Sequence, residues 1–226
     1  MFNFKKVFEL DYNKIDKSEL ALILFQSLFL GGNKKIDKTY EPYVKDFLKK
    51  HTERIDQLHA IAELCVPYET NKQLYVACNA YIWVGATGRK KLIELLPIYI
   101  EKGAQWSGSY GGYVEHQFKY RVKRQVLELA DYYRYLGKAY EGEYMLDDAA
   151  NAYQKSVDTL QGCAASVDLA GVLTKLGRFD EAIAALEAYK ASKYYDPETA
   201  AHVSKKMEDI KKKQARGYVY KPRPQK

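Results

Sequence analysis

Cysteine is scarce in this chain: Cys65, Cys78 and Cys163 are three thiols among 226 residues, an odd number with no close-spaced pair. That excludes a disulfide framework as the basis of the fold and points to a reducing, cytoplasmic setting. Histidine is equally thin. His51, His59, His116 and His202 are scattered, none at metal-ligand spacing and none beside a glutamate in a zinc pattern, so no metal or cofactor is expected. Proline and glycine are few, six and fourteen, and fall mostly between apolar periodic stretches. No serine occupies a nucleophile elbow. The segment Gly85-Ala-Thr-Gly88-Arg-Lys90-Lys91 lacks the four-residue gap and the Ser/Thr of a phosphate loop. These absences remove the common enzyme signatures.

Long hydrophobic runs are missing too. The most apolar stretch, Leu20 to Leu30, is too short to span a bilayer. Asp16-Lys-Ser-Glu19 precedes it as a capping box and Gly31-Gly32 follows as a C-cap, which reads as a buried first helix rather than an export signal. No membrane association is expected.

The net charge of +7 suggests a nucleic-acid binder until it is located. Residues 205–226 hold nine basic and two acidic side chains, which accounts for all of it. Residues 1–204 balance at 27 of each sign. The body is neutral and carries a basic C-terminal segment.

What is present is helical periodicity, with no convincing strand alternation. The pattern predicts helices near 17–30, 40–50, 52–65, 71–84, 89–102, 114–142, 146–158, 163–176, 179–192 and 196–213. Pro67, Gly85 to Gly88, Gly103, Gly162 and Gly177 punctuate them, and Asp196-Pro197 opens the last. Short helices on short turns imply antiparallel hairpins that cover one another's apolar faces. Residues 103–113 form the one long glycine-rich interruption. The expected organisation is an N-terminal helical region at 1–102, a linker at 103–113, a helical domain at 114–204 and a basic helix end and tail at 205–226.

Two stretches of the C-terminal half match each other. Tyr133-x2-Leu136-Gly137-x2-Tyr140 precedes Ala149-x3-Tyr153. Ser166-x2-Leu169-Ala170-x2-Leu173 precedes Ala182-Ile183-x2-Leu186. Corresponding positions lie 33 residues apart, with small residues where helices approach and large ones filling the gaps. Residues 130–196 thereby resemble two tandem tetratricopeptide (TPR) repeats, whose usual period is 34. The resemblance implies an all-α fold, a short TPR-like right-handed solenoid of antiparallel hairpins, and a non-enzymatic scaffold or adaptor that grips a protein or peptide partner. A weaker helix pair, Tyr75 to Ile82 then Lys90 to Tyr99, has similar geometry, but Lys91 stands where the small alanine belongs.

In that family the first helix of each repeat lines a concave groove. Asp131, Arg134, Lys138 and Glu141 share such a face by their 3-4-3 spacing. The matching face of the second unit is Ala164, Val167, Gly171 and Thr174, which lacks the carboxylate-binding clamp of some members. A second candidate is the tail, where Arg216, Tyr218, Tyr220, Lys221 and Arg223 interleave rings with cations. That composition suits an acidic protein groove or stacking against nucleic acid. Lys119, Arg121, Lys123 and Arg124 form a short basic cluster at the expected helix start, and Trp106, Tyr110 and Tyr113 are aromatic candidates in the glycine-rich loop. The 21 tyrosines suit either the edges of a shallow core or a tyrosine-lined groove.

Overall fold

The structure, a computed structural model, describes residues 10–30, 36–104, 113–116, 120–193 and 195–222, with backbone alone at 113–116, 120 and 121. The fold is all-α, with one short two-stranded hairpin among the described residues. It divides into two compact units, Met1–Gly88 and Arg89–Lys226.

The first unit contains α1 (Lys17–Phe29), α2 (Glu41–Lys50), α3 (Arg54–Glu63) and α4 (Asn71–Val84), closed by a 3-10 turn at Gly85–Gly88. The helix starts follow from local chemistry. Asp16 accepts hydrogen bonds from the Ser18 and Glu19 N–H groups, satisfying donors the first turn of α1 leaves open. Glu19 does not close the expected capping box; its carboxylate takes Lys72 Nζ at 3.1 Å, which also reaches Asp16 at 3.0 Å. The box forms instead at α4, where Thr70 and Gln73 cap one another reciprocally. The core packs Leu20, Leu24 and Phe25 of α1 against Leu58 and Ile61 of α3 and Leu74, Cys78 and Tyr81 of α4. The expected Gly31-Gly32 cap lies outside the described residues; α1 ends with Leu30 as its C-cap.

The second unit runs α5 (Arg89–Glu101), β1 (Tyr113–His116), β2 (Tyr120–Lys123), α6 (Arg124–Gly142), α7 (Leu146–Thr159), α8 (Ala165–Lys175), α9 (Phe179–Ala191) and α10 (Ala200–Ala215). From α5 to α10 each helix packs on its neighbour in sequence. Three-residue connections join α6 to α7 and α8 to α9, which turns each pair antiparallel. The sequence reading placed residues 89–102 with the N-terminal region, whereas α5 packs on α6 and clusters with the second unit.

One expectation is corrected. The helix read as 114–142 begins at Arg124, and Tyr113–His116 and Tyr120–Lys123 form the antiparallel pair β1–β2, with Val114 opposite Val122 and Glu115 opposite Arg121. The sequence carries the reason. Tyr120 and Val122 alternate with Arg121 and Lys123, a period of two that belongs to a strand. Arg121 and Lys123 stand on β2, so Arg121 does not share a helical face with Arg124. Trp106, Tyr110, Lys119 and Arg223 lie outside the described residues.

The 33-residue correspondence is matched in burial. Ala149 and Ala182 are fully buried, as are Tyr153 and Leu186, and Leu136 and Leu169 are buried in register. Gly137 is small for a concrete reason: a Cβ there would stand 2.6 Å from the Tyr153 ring.

Candidate binding groove

The groove in the second unit begins with the periodicity of α10. Val203 and Ile210 are buried in the core shared with α8 and α9, and Met207 packs beside them. That commitment leaves His202, Lys206, Asp209 and Lys213, spaced 4-3-4, along an adjoining flank of the helix. On α8 the facing positions are Gly171, Thr174 and Lys175. Between the two helices lies a groove of about 430 Å³.

The tail supplies the third wall. The helix ends in a Schellman motif: the Tyr218 N–H donates to the Lys213 carbonyl at 3.0 Å and the Gly217 N–H to the Gln214 carbonyl at 3.0 Å. Gly217 makes this possible by adopting φ +62°, a left-handed conformation that costs a residue with a Cβ free energy. The chain then turns back on the helix. Tyr218 and Tyr220 are half-buried in the groove, while Val219 between them is 74% exposed. Lys213 Nζ stands 5.1 Å from the Tyr218 ring centre, and Lys175 Nζ stands 5.4 Å from that of Tyr220.

Lys206 is the least compensated charge here. It is half-buried and makes no hydrogen bond or ion pair among the described residues. A Cβ added to Gly171 would lie 3.4 Å from its Nζ, at van der Waals contact, so the ammonium lies close against α8 at this glycine. Burial holds the Lys206 pKa below that of an ordinary lysine. Asp168 and Glu141 act to raise it, while Lys213 and Lys175 lower it further.

The side chains on α6 are largely committed elsewhere. Arg134 Nε donates to Asp168 Oδ2 on α8 at 2.6 Å. Glu141 accepts from Tyr153 Oη at 2.8 Å and from Lys175 Nζ at 2.6 Å. These two ion pairs knit α6 to α8 at positions 34 residues apart, and Gln214 repeats the interval by donating to Asp180 at 2.9 Å. Asp131 is exposed, and so is Lys138, whose Nζ stands 5.8 Å from the Tyr135 ring centre. In the tail, Arg216 and Lys221 are exposed beside the two half-buried tyrosines. The α6 and tail candidates therefore meet at Lys175, which touches Glu141 on one side and Tyr220 on the other.

Lys175, Lys206 and Lys213 were absent from the sequence-derived candidates. Two signals pointed to them. Counting 34 from Glu141 reaches Lys175, and removing the apolar stripe 203–207–210 from α10 leaves 206 and 213 on one flank. Among the described residues no group of three or more His, Cys, Asp or Glu side chains is placed to hold a metal ion, and no helix is long and apolar enough to cross a membrane. No family model matches the chain, and no curated protein matches it.

Proposed function

We propose that the chain is a non-enzymatic scaffold or adaptor whose second unit, a short TPR-like right-handed stack, holds a partner protein in the groove between α8, α10 and the tail. The observation that carries this reading is Lys206: a half-buried ammonium with no hydrogen-bond or ion-pair partner among the described residues, in a groove with two tyrosine rings. A cation left desolvated and unpaired costs folding free energy, and an anionic partner would recover part of it. The ion pairs from α6 to α8 hold the groove's α8 wall, and the Schellman turn holds the tail wall. Both support a preformed surface, which lowers the ordering cost of binding. The 33-residue correspondence and the Ala149 and Ala182 contacts favour the TPR-like reading of the stack. Within this proposal the protein works in the cytoplasm.

A second reading rests on a different observation. Arg216 and Lys221 stay exposed beside Tyr218 and Tyr220, and Lys205, Lys211 and Lys212 are exposed on α10. This basic, ring-bearing end suits nucleic acid.

The experiment compares tagged wild type with Lys206→Glu/Lys213→Glu, each confirmed as folded by circular dichroism, in pull-downs read by mass spectrometry. Proteins that wild type holds and the double variant releases support the groove. An unchanged set of captured proteins would exclude it as the binding surface.

A further inference from the structure

We propose that the occupant of this groove is an extended acidic peptide segment, its carboxylates meeting Lys206 and Lys213 and its length lying against the wall formed by Tyr218 and Tyr220. This rests on the partner-protein reading above and adds the partner's chemistry. Charge complementarity is the first argument. Lys205, Lys206 and Lys213 face the groove with only Asp209 as an acidic neighbour on α10, and Lys206 makes no ion pair among the described residues, its nearby carboxylates Asp168 and Glu141 being bonded to Arg134 and Lys175.

Spacing is the second argument. Lys206 and Lys213 are seven residues apart on a helix, a rise of about 10.5 Å. A peptide in the extended polyproline II conformation, with three residues per turn and about 3.1 Å per residue, spans nearly that distance in three residues and keeps i and i+3 on one face. Acidic side chains at i and i+3 thus match the two lysines.

The third argument separates a peptide from a nucleic acid strand. Asp209 lies between Lys206 and Lys213 on the same flank, where it repels a continuous phosphate track. A peptide backbone offers N–H donors at that point, which a carboxylate accepts. The tyrosine rings also already carry lysine ammoniums, Lys213 on Tyr218 and Lys175 on Tyr220, so a stacking base would have to compete with them.

The test uses fluorescence anisotropy with three labelled probes: a twelve-residue Asp-Gly-Ser repeat, its Asn-Gly-Ser counterpart and a twelve-nucleotide oligouridylate. Full-length wild type should bind the Asp peptide at least tenfold more tightly than the Asn peptide, with affinity falling as salt rises. Lys206→Met should weaken that binding roughly tenfold or more, Lys206→Arg should restore most of it, and Lys190→Met on exposed α9 should leave it unchanged. Removing residues 216–226 should also weaken it.

Equal affinity for the Asp and Asn peptides would overturn the proposal. So would equal losses in Lys206→Met and Lys190→Met, or tighter binding of the tail-deleted chain. Tighter binding of the oligouridylate, lost in Lys206→Met, would replace the peptide with nucleic acid. If the Asp peptide fails while the pull-down still shows partners released by the groove variant, only the acidic chemistry is wrong. If both fail, the groove reading falls with it.

Discussion

Two glycines in helices of the second unit, Gly137 on α6 and Gly171 on α8, provide a matched pair of perturbations. Replacing either with alanine gains intrinsic helix propensity, about 1 kcal/mol in each case. Their surroundings differ. At Gly137 the new methyl would stand 2.6, 2.7 and 2.9 Å from three atoms of the Tyr153 ring. That ring is fully buried and its hydroxyl is tied to Glu141, so it has little room to move. Overpacking of this kind costs about 1–3 kcal/mol. At Gly171 the nearest atom is Lys206 Nζ at 3.4 Å, the end of a flexible side chain. Gly171→Ala should therefore stabilise the protein by roughly 1 kcal/mol. Gly137→Ala should sit about 1–3 kcal/mol below it, the overpacking cost alone. For a unit of this size, 1 kcal/mol corresponds to a melting shift of about 3–5 °C. Urea titration and differential scanning calorimetry of both variants measure the difference. Equal melting temperatures, or a more stable Gly137→Ala, would refute the close approach of α6 to Tyr153.

Three further outcomes are expected. Ala182→Leu, at a fully buried contact, should cost roughly 1–3 kcal/mol, whereas Lys190→Leu on the exposed side of α9 should cost little; equal melting temperatures would break the 33-residue register. Burial raises the Asp16 carboxyl, but hydrogen bonds from Ser18, Lys72 and the Glu19 N–H outweigh it and bring the pKa from 3.8 down to about 2. Because the folded value is the lower one, this stabilisation is present above about pH 4 and is lost as pH falls toward 2. Asp16→Ala should thus cost about 1 kcal/mol at pH 7, with the gap from wild type closing across that window in acid denaturation. Finally, burial pushes the Cys65 thiol up to about 12 and raises those of Cys78 and Cys163. All three should react slowly with an aromatic disulfide reagent in native protein and fast in guanidinium, by absorbance.

Much of the fold was legible in the linear pattern, and the reason is local. A helix is specified by residues three and four apart, by its caps and by the glycines that end it, all neighbours in sequence. Thr70 with Gln73 and Gly177 at the end of α8 are examples. The α-helical class and most helix positions followed from that. The exception, β1 and β2, was legible in the same way at Tyr120 to Lys123, where two apolar residues alternate with two cations beside a helical pattern.

The groove required the tertiary structure. Asp131, Arg134, Lys138 and Glu141 do share a helical face, yet spacing along one helix says nothing of what stands opposite. Asp168 and Lys175, arriving from α8, take up Arg134 and Glu141. Lys206 looked like one lysine of a basic run. Its distinction arises because Val203 and Ile210 commit α10 to the core, its ammonium lies against α8 at Gly171, and Gly217 turns two tyrosines back over it. Sequence alone determined most of the segments that coil, because hydrogen bonding along a helix is short-range. Packing decided which charges are left without a partner, because pairing depends on contacts between segments tens of residues apart.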